Sequence, residues 1–134
     1  MRFYFAVLVV AVSWSATARA GGDAAHGEMV FHQCTICHAV GPNAPVRLGP
    51  PLNGVVGREW AMSPHYAYSA GLVAGEKAGR KWDEATLDAW LTAPQKVVPN
   101  TKMSFGGLHD KQQRDDVVAY LKQFDQSGQR HDDP

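Results

Sequence analysis

The chain has 134 residues, 13 Lys and Arg against 13 Asp and Glu, and only two cysteines. That length bounds it to a single domain, and the absence of a basic surplus excludes an ordinary nucleic-acid binder. A disulfide between Cys34 and Cys37 would close too small a loop to stabilise a fold, so the pair calls for a chemical explanation.

The first twenty residues, MRFYFAVLVVAVSWSATARA, read as a secretory leader. Arg2 supplies a positive start, Phe3 to Trp14 an apolar run, and Ala18-Arg19-Ala20 a small-x-small cleavage site. The apolar run is short for a membrane span, and an uncleaved anchor is the alternative reading. Cleavage after Ala20 leaves Gly21 to Pro134 as one domain, exported to the periplasm. Without Arg2 and Arg19 the 13 basic residues fall to 11 against 13 acids, a slight negative balance. No second long apolar run is present, so stable membrane insertion is not expected.

A helix is predicted over about Ala24–Cys37, with Gly27 allowing another element to approach closely. Residues 41–57 carry four prolines and four glycines, which rules out a long helix or a central strand. Residues 62–81 hold at most a short helix near Tyr68–Ala74. A clear helix then starts at Asp83 and Glu84, presents Leu87, Trp90 and Leu91, and ends at Pro94. Residues 96–108 are read as irregular. The last helix has Asp110 as N-cap with Gln113 three residues on, an apolar face of Val117, Leu121 and Phe124, and Gly128 past its end. The polar tail over 127–134 is expected to fray. No strand alternation and no internal repeat appear. An all-α chain with such long connections needs a large apolar group to wrap.

Cys34-Thr35-Ile36-Cys37-His38 offers that group. Cys-x-x-Cys-His is the attachment signature of a c-type haem. Two thiols three positions apart share one side of a turn and reach two vinyl groups, while the histidine beside them supplies an axial nitrogen. Two rivals are weaker. A redox dithiol wants a βαβ context that this chain lacks. A structural zinc needs four ligands, and no second Cys-x-x-Cys or His-x₃₋₅-His pair is present.

If His38 binds iron on one face, the second axial ligand comes from Met29, Met62, Met103, His26, His32, His65, His109 or His131. Met29 precedes the attachment turn on the same helix and is poorly placed for the other face. Met62 and His65 fall in the middle loop. Met103 lies in PNTKMSF, an irregular stretch between two helices that can turn a sulfur inward.

In order and spacing, CTICH, LGPPLNGVVGR, YAYSAGL, KWDEATLDAWL, VVPNTKMSF and RDDVVAYLKQF resemble the class I c-type cytochromes, mitochondrial cytochrome c and its small bacterial relatives among them. The resemblance spans nearly all of Asp23–Gln126. It implies the cytochrome c fold, with three principal helices, a short helix and long loops around one covalently attached haem c. Cys34 and Cys37 would form the thioethers, and His38 and Met103 would ligate iron. Pro50 would accept a hydrogen bond from His38 through its carbonyl. Arg58, Tyr68, Trp82 and Thr101 match positions that bind the haem propionates. Read without the resemblance, those four are a solvated charge, two core aromatics and a turn hydroxyl. Gly27 and Phe31 match positions that pack on Tyr120 and Leu121.

Two positions depart from the family pattern. Trp90 and Leu72 stand where tyrosine and asparagine are common near the methionine sulfur. Both changes are read as removing polar groups, with a positive but shifted reduction potential as the expected result.

The chain is therefore expected to be a periplasmic monomer, not an enzyme, carrying single electrons between membrane-bound or soluble redox partners. Arg47, Lys96 and Lys102 would border the exposed haem edge. Gln33, Gln95 and Asp110 replace cations frequent there, so weak salt dependence is expected. The competing readings are a haem c subunit dedicated to one periplasmic dehydrogenase, a gas-binding or peroxidatic protein with an open sixth site, and a thiol oxidoreductase.

Overall fold

A computed structural model describes residues 21–132. The predicted leader over residues 1–20 lies outside them, as do residues 133 and 134. Five α-helices succeed one another: α1 (Ala24–Phe31), α2 (Ala70–Lys77), α3 (Glu84–Thr92), α4 (Pro94–Val97) and α5 (Lys111–Lys122). Among the described residues there is no named strand, only isolated bridges between Glu59 and Lys81 and between Phe124 and Arg130. No described helix is long and apolar enough to cross a membrane.

The frame of the molecule is the crossing of α1 on α5. Gly27 makes it: a Cβ there would lie 1.9 Å from the Asp116 carbonyl oxygen, so any side chain would force the helices apart. Phe31 then meets Tyr120 with ring centroids 5.4 Å apart, and Tyr120 meets Phe124 edge-on at 5.2 Å. Asp116 ties the crossing from inside. Its buried carboxylate accepts from Asp23 N at 2.6 Å, Gln112 Nε2 at 2.8 Å and His26 Nδ1 at 2.5 Å. Burial alone would raise its pKa, but these donors together hold it below the ordinary carboxylate value.

The expected first helix is shorter than its prediction. It ends at Phe31, passes through a 3₁₀ turn over His32–Cys34, and tightens again to Cys37. Side chains cause the change. Thr35 Oγ1 donates to His32 O at 2.7 Å and Gln33 Nε2 to Val30 O at 3.1 Å, competing with helical backbone bonds. The tightening helps the motif, because residues three apart eclipse in such a turn.

Helix α2 runs to Lys77, past the expected Ala74, and accommodates Gly75 because Trp60 lies against it. Pro94 does end α3, but it also begins α4, a one-turn helix inside a stretch read as irregular. Proline is well suited to a first helical position, where its missing N–H has no partner to lose. Asp110 caps α5 through Gln112 N at 2.8 Å, without a reciprocal bond from Gln113.

The tail also departs from expectation, since residues 127–131 fold back. Gly128 turns with φ +83°, and His131 N donates to Gln123 O at 2.7 Å. The Arg130 guanidinium lies over Tyr120 and pairs with Glu28 at 3.1 Å. Asp125 gathers Ser127 N, Gln129 N and His131 Nε2 into this turn, and Arg130 extends it to α1 and α5.

Candidate functional site

Between α1, α3, α5 and the loops lies a cleft of about 970 Å³, counting its open mouth. All nine residues singled out from the sequence line it: Cys34, Cys37, His38, Pro50, Arg58, Tyr68, Trp82, Thr101 and Met103. The rest of the lining is largely apolar, including Leu72, Leu87, Leu91, Val117 and Leu121. The other proposed axial ligands are elsewhere. Met29 and Met62 are exposed, His26 and His131 are held by Asp116 and Asp125, and His32, His65 and His109 are exposed outside the cleft.

The CTICH turn sets one wall. Cys37 N and His38 N both bond to Cys34 O, at 3.1 and 2.8 Å, which closes the turn between the thiols. Both thiols are free and partly buried. Burial, then the neighbouring Cys37, pushes the Cys34 thiol up to about 11, so it stays protonated at neutral pH. A thiol held protonated is a poor metal ligand, because a metal takes the thiolate.

His38 is clamped. Its Nδ1 donates to the Pro50 carbonyl at 2.7 Å, which leaves the Nε2 lone pair unprotonated. Burial lowers its pKa against the opposing pull of that carbonyl, so the ring is neutral and able to ligate a metal. Gly49 presses on the ring: a Cβ there would sit 2.5 Å from Cε1 and 2.8 Å from Nδ1. The same strap is anchored by Gly49 N to Cys37 O at 2.9 Å and by Arg47 to Thr35 O at 2.5 Å.

Met103 comes from the loop after α4. Asn100 turns this loop with φ +62°, and Thr101 Oγ1 accepts from Met103 N at 3.4 Å. Gln95 braces it twice, donating through Nε2 to Thr101 O and accepting from Asn100 N through Oε1, each at 3.1 Å. Lys102 Nζ reaches Ala67 O at 2.5 Å and joins the loop to the middle segment. The half-buried sulfur receives a hydrogen bond from Trp90 Nε1 at 3.2 Å. This corrects the reading of Trp90 as a lost polar group. An indole N–H is a donor, and here it points at the sulfur. The Leu72 expectation stands differently: its side chain is buried in the cleft and brings no polar atom.

Arg58, Tyr68, Trp82 and Thr101 share the cleft but hold different contacts. Arg58 Nη1 donates to Asn53 O at 2.8 Å, while its buried Nε has no partner among the described residues. Burial lowers the Arg58 pKa, partly offset by Tyr68. The Tyr68 hydroxyl accepts from Ser63 N at 3.1 Å. Sequence reasoning missed Ser69. It precedes α2 as an N-cap, yet its hydroxyl caps nothing and stays buried and unpartnered against the cleft. Tyr66 was missed too; its hydroxyl donates to Leu48 O at 3.2 Å and closes the mouth beside the His38 strap. Neither carries a motif, although Ser69 had the ordinary signal of a cap.

These features fit a covalently tethered haem. A carboxylate near Arg58 Nε and Ser69 Oγ would satisfy two buried groups that otherwise lose hydrogen bonding to no gain. The two thiols are the attachment groups of a c-type haem, and the neutral imidazole and the thioether are the donor types its iron takes.

Similarity to known proteins agrees. The family profile described as Cytochrome c matches residues 24–125. The chain is 48% identical to cytochrome c2 of Rhodomicrobium vannielii over 116 residues, covering 87% of this chain and 90% of that protein. It is 45% identical to cytochrome c2 of Rhodoblastus acidophilus, covering 81% and 99%. Among solved structures, cytochrome c2 from Rhodospirillum centenum superposes with a TM-score of 0.72 at 42% identity, covering 78% of this chain and 99% of that one. Cytochrome cH from Methylobacterium extorquens gives 0.67 at 44% identity, covering 75% and 98%. The chain therefore belongs to the cytochrome c family, whose members are electron-transfer proteins with one covalently attached haem c.

Proposed function

We propose that the chain works in the periplasm as a free, monomeric one-electron carrier, with His38 and Met103 as the two axial ligands of iron. One observation carries the reading: of all the histidines and methionines in the described residues, only these two line the cleft. Haem c supplies a reversible one-electron change at iron. The polypeptide contributes geometry. With the group bound, Cys34 and Cys37 would tether it, Pro50 fixes the His38 tautomer, and Arg58, Tyr68, Ser69, Trp82 and Thr101 would be available to hold the propionates. Apolar side chains exclude water, so neither oxidation state reorganises much solvent. With His38 and Met103 both holding the iron, substrates would have no access to the metal.

Gly22, two residues past the proposed cleavage after Ala20, packs flush on α5, where a Cβ would fall 2.0 Å from Asp115 O. Partner docking has an apolar element: Ile36 and Leu48, beside the tether and the mouth, are 75% and 77% exposed. Membrane-bound or soluble redox proteins with a matching apolar centre are the partners this surface suits.

The test is optical. Exported protein made with haem maturation should give a c-type redox-difference spectrum and the weak charge-transfer band of methionine on ferric haem. Met103→Ala should abolish that band and let the ferrous protein bind carbon monoxide. Ready carbon monoxide binding by the unmodified protein at neutral pH would instead favour an open site, and stable co-purification with one dehydrogenase would favour a dedicated subunit.

A further inference from the structure

We infer that Asn53–Gly54 is a modification site: a deamidating pair that the folded chain keeps shut, with the C-terminal turn over residues 125–131 as its lid. Of Asn43, Asn53 and Asn100, only Asn53 precedes a glycine.

The chemistry needs nothing but water. In an open chain the Gly54 backbone nitrogen gives its proton to solvent and attacks Asn53 Cγ. The new N–Cγ bond closes a cyclic imide, the Cγ–Nδ2 bond breaks, and ammonia leaves with a proton taken back from solvent. Water then adds to one of the two imide carbonyls and opens the ring, leaving aspartate or isoaspartate. Glycine favours the closure because it has no Cβ to crowd the ring and turns freely.

The fold blocks each requirement. The Asn53 side chain is clasped to Gly41 at both ends, with Oδ1 accepting from Gly41 N at 2.8 Å and Nδ2 donating to Gly41 O at 2.9 Å. This fixes the amide plane and keeps Cγ from swinging onto Gly54 N. Gly54 N itself donates to Phe124 O at 3.1 Å, so its proton is engaged. The lid lies directly on the clasp: a Cβ on Gly128 would fall 2.1 Å from Gly41 O and 2.7 Å from Asn53 Nδ2. Gln126 covers the other side, where a Cβ on Gly54 would meet its Cγ at 2.8 Å. Arg130 fastens the lid through Glu28 and Gln123 Oε1, at 3.1 and 3.0 Å.

Opening the pair would reach the cleft. The Asn53 carbonyl oxygen accepts from Arg58 Nη1 at 2.8 Å. In isoaspartate that carbonyl becomes a free carboxylate, which would draw the guanidinium away from the cleft. In aspartate the new carboxylate faces Gly41 O, acceptor against acceptor, and the clasp loosens. Either product adds a negative charge beside Arg58 and favours the ferric state. This consequence, unlike the modification itself, rests on the reading of the cleft as a haem site.

Haem-loaded protein is aged at mildly alkaline pH and cut with trypsin, and the mass of the peptide Leu48–Arg58 reports the amide. Asn53 should convert at least about a hundredfold more slowly in the folded protein than in urea, because reaction waits for local opening. Gly128→Ala should speed the folded reaction about tenfold, since its side chain has no room beneath the lid. Arg130→Ala, which only unfastens the lid, should speed it about threefold and decides the matter if Gly128→Ala does not fold. Failure to convert in urea overturns the site, and equal rates folded and in urea overturn its closure. Rates unchanged in the folded variants overturn the lid. The converted fraction, separated by its extra charge, should show a smaller ferrous-to-ferric ratio at a fixed ambient potential. An unchanged ratio overturns the link to Arg58. A product without a c-type spectrum fails the haem reading instead, which the peptide mass does not measure.

Discussion

The two walls of the cleft are held in opposite ways. The His38 wall is local: Cys34 to Pro50 bonds to itself through the CTICH turn, the Gly49 strap and the Pro50 carbonyl. The Met103 wall is assembled from distant pieces, with Trp90 from α3, Gln95 from α4, and Lys102 reaching the middle segment. The first wall is a rigid clamp with no spare volume. The second is a loop braced by separate hydrogen bonds, each replaceable alone. Substitutions should therefore be severe on the His38 side and graded on the Met103 side.

Gly49→Ala should give the largest effect. The new Cβ would meet the imidazole of His38 at 2.5 Å, and the ring cannot retreat while Pro50 holds it. Overpacking of this kind costs about 3 kcal/mol. Denaturant unfolding of the haem-loaded protein checks it. A loss below about 1 kcal/mol would mean that the strap moves freely, and the contrast between the walls would fail.

Next comes the frame on which the His38 wall stands. Asp116→Asn should destabilise the protein by about 2 kcal/mol at neutral pH, because its donors lose a charged acceptor. The Asp116 pKa is lowered in the fold, so its stabilisation is complete above the unfolded value of about 4 and fades as pH falls through the lower folded value. The gap between wild type and variant should narrow as pH drops from about 5 to about 3. A gap constant over that range would show that Asp116 contributes no charge-dependent stability.

The difference between the walls also explains what was legible in the sequence. The tether and His38 were readable because five adjacent residues encode them. Gly27 was readable because a glycine inside a helix asks for a close neighbour, and Asp116 and Tyr120 supply one. Met103 needed the spacing of several motifs together. The brace of Gln95 was invisible, since its partners Asn100 and Thr101 belong to a loop whose path depends on α4, itself unread. Trp90 was misread for the same reason: composition gives an apolar ring, and only the packing of Trp82 and Trp60 aims its N–H. The fold-back of Arg130 onto Glu28 and Tyr120 likewise depends on tertiary neighbours that no local pattern names.

Gln95→Ala probes the braced wall. It removes two hydrogen bonds from the loop that carries Met103, a loss of about 1–2 kcal/mol in all. The charge-transfer band of the ferric protein should persist at room temperature and vanish at a lower temperature than in the unmodified protein. An equal midpoint in both would mean that Lys102 and Thr101 suffice to hold the loop.

The smallest effect separates the walls by charge. Arg47 belongs to the His38 strap and Lys102 to the Met103 loop, and both are exposed. Each spends its side chain on a carbonyl, Thr35 O and Ala67 O, so neither projects freely toward a partner. The exposed Ile36 and Leu48 between them favour association through apolar contact. Electron transfer to a redox partner should slow less than about threefold when salt rises from about 50 to about 200 mM. Arg47→Ala and Lys102→Ala should each change the rate by less than about twofold, with Leu48→Ser slowing it more. Stopped-flow transfer rates decide the matter: a steep salt dependence, abolished by either alanine variant, would show that steering comes from charge and that the two walls present one cationic rim.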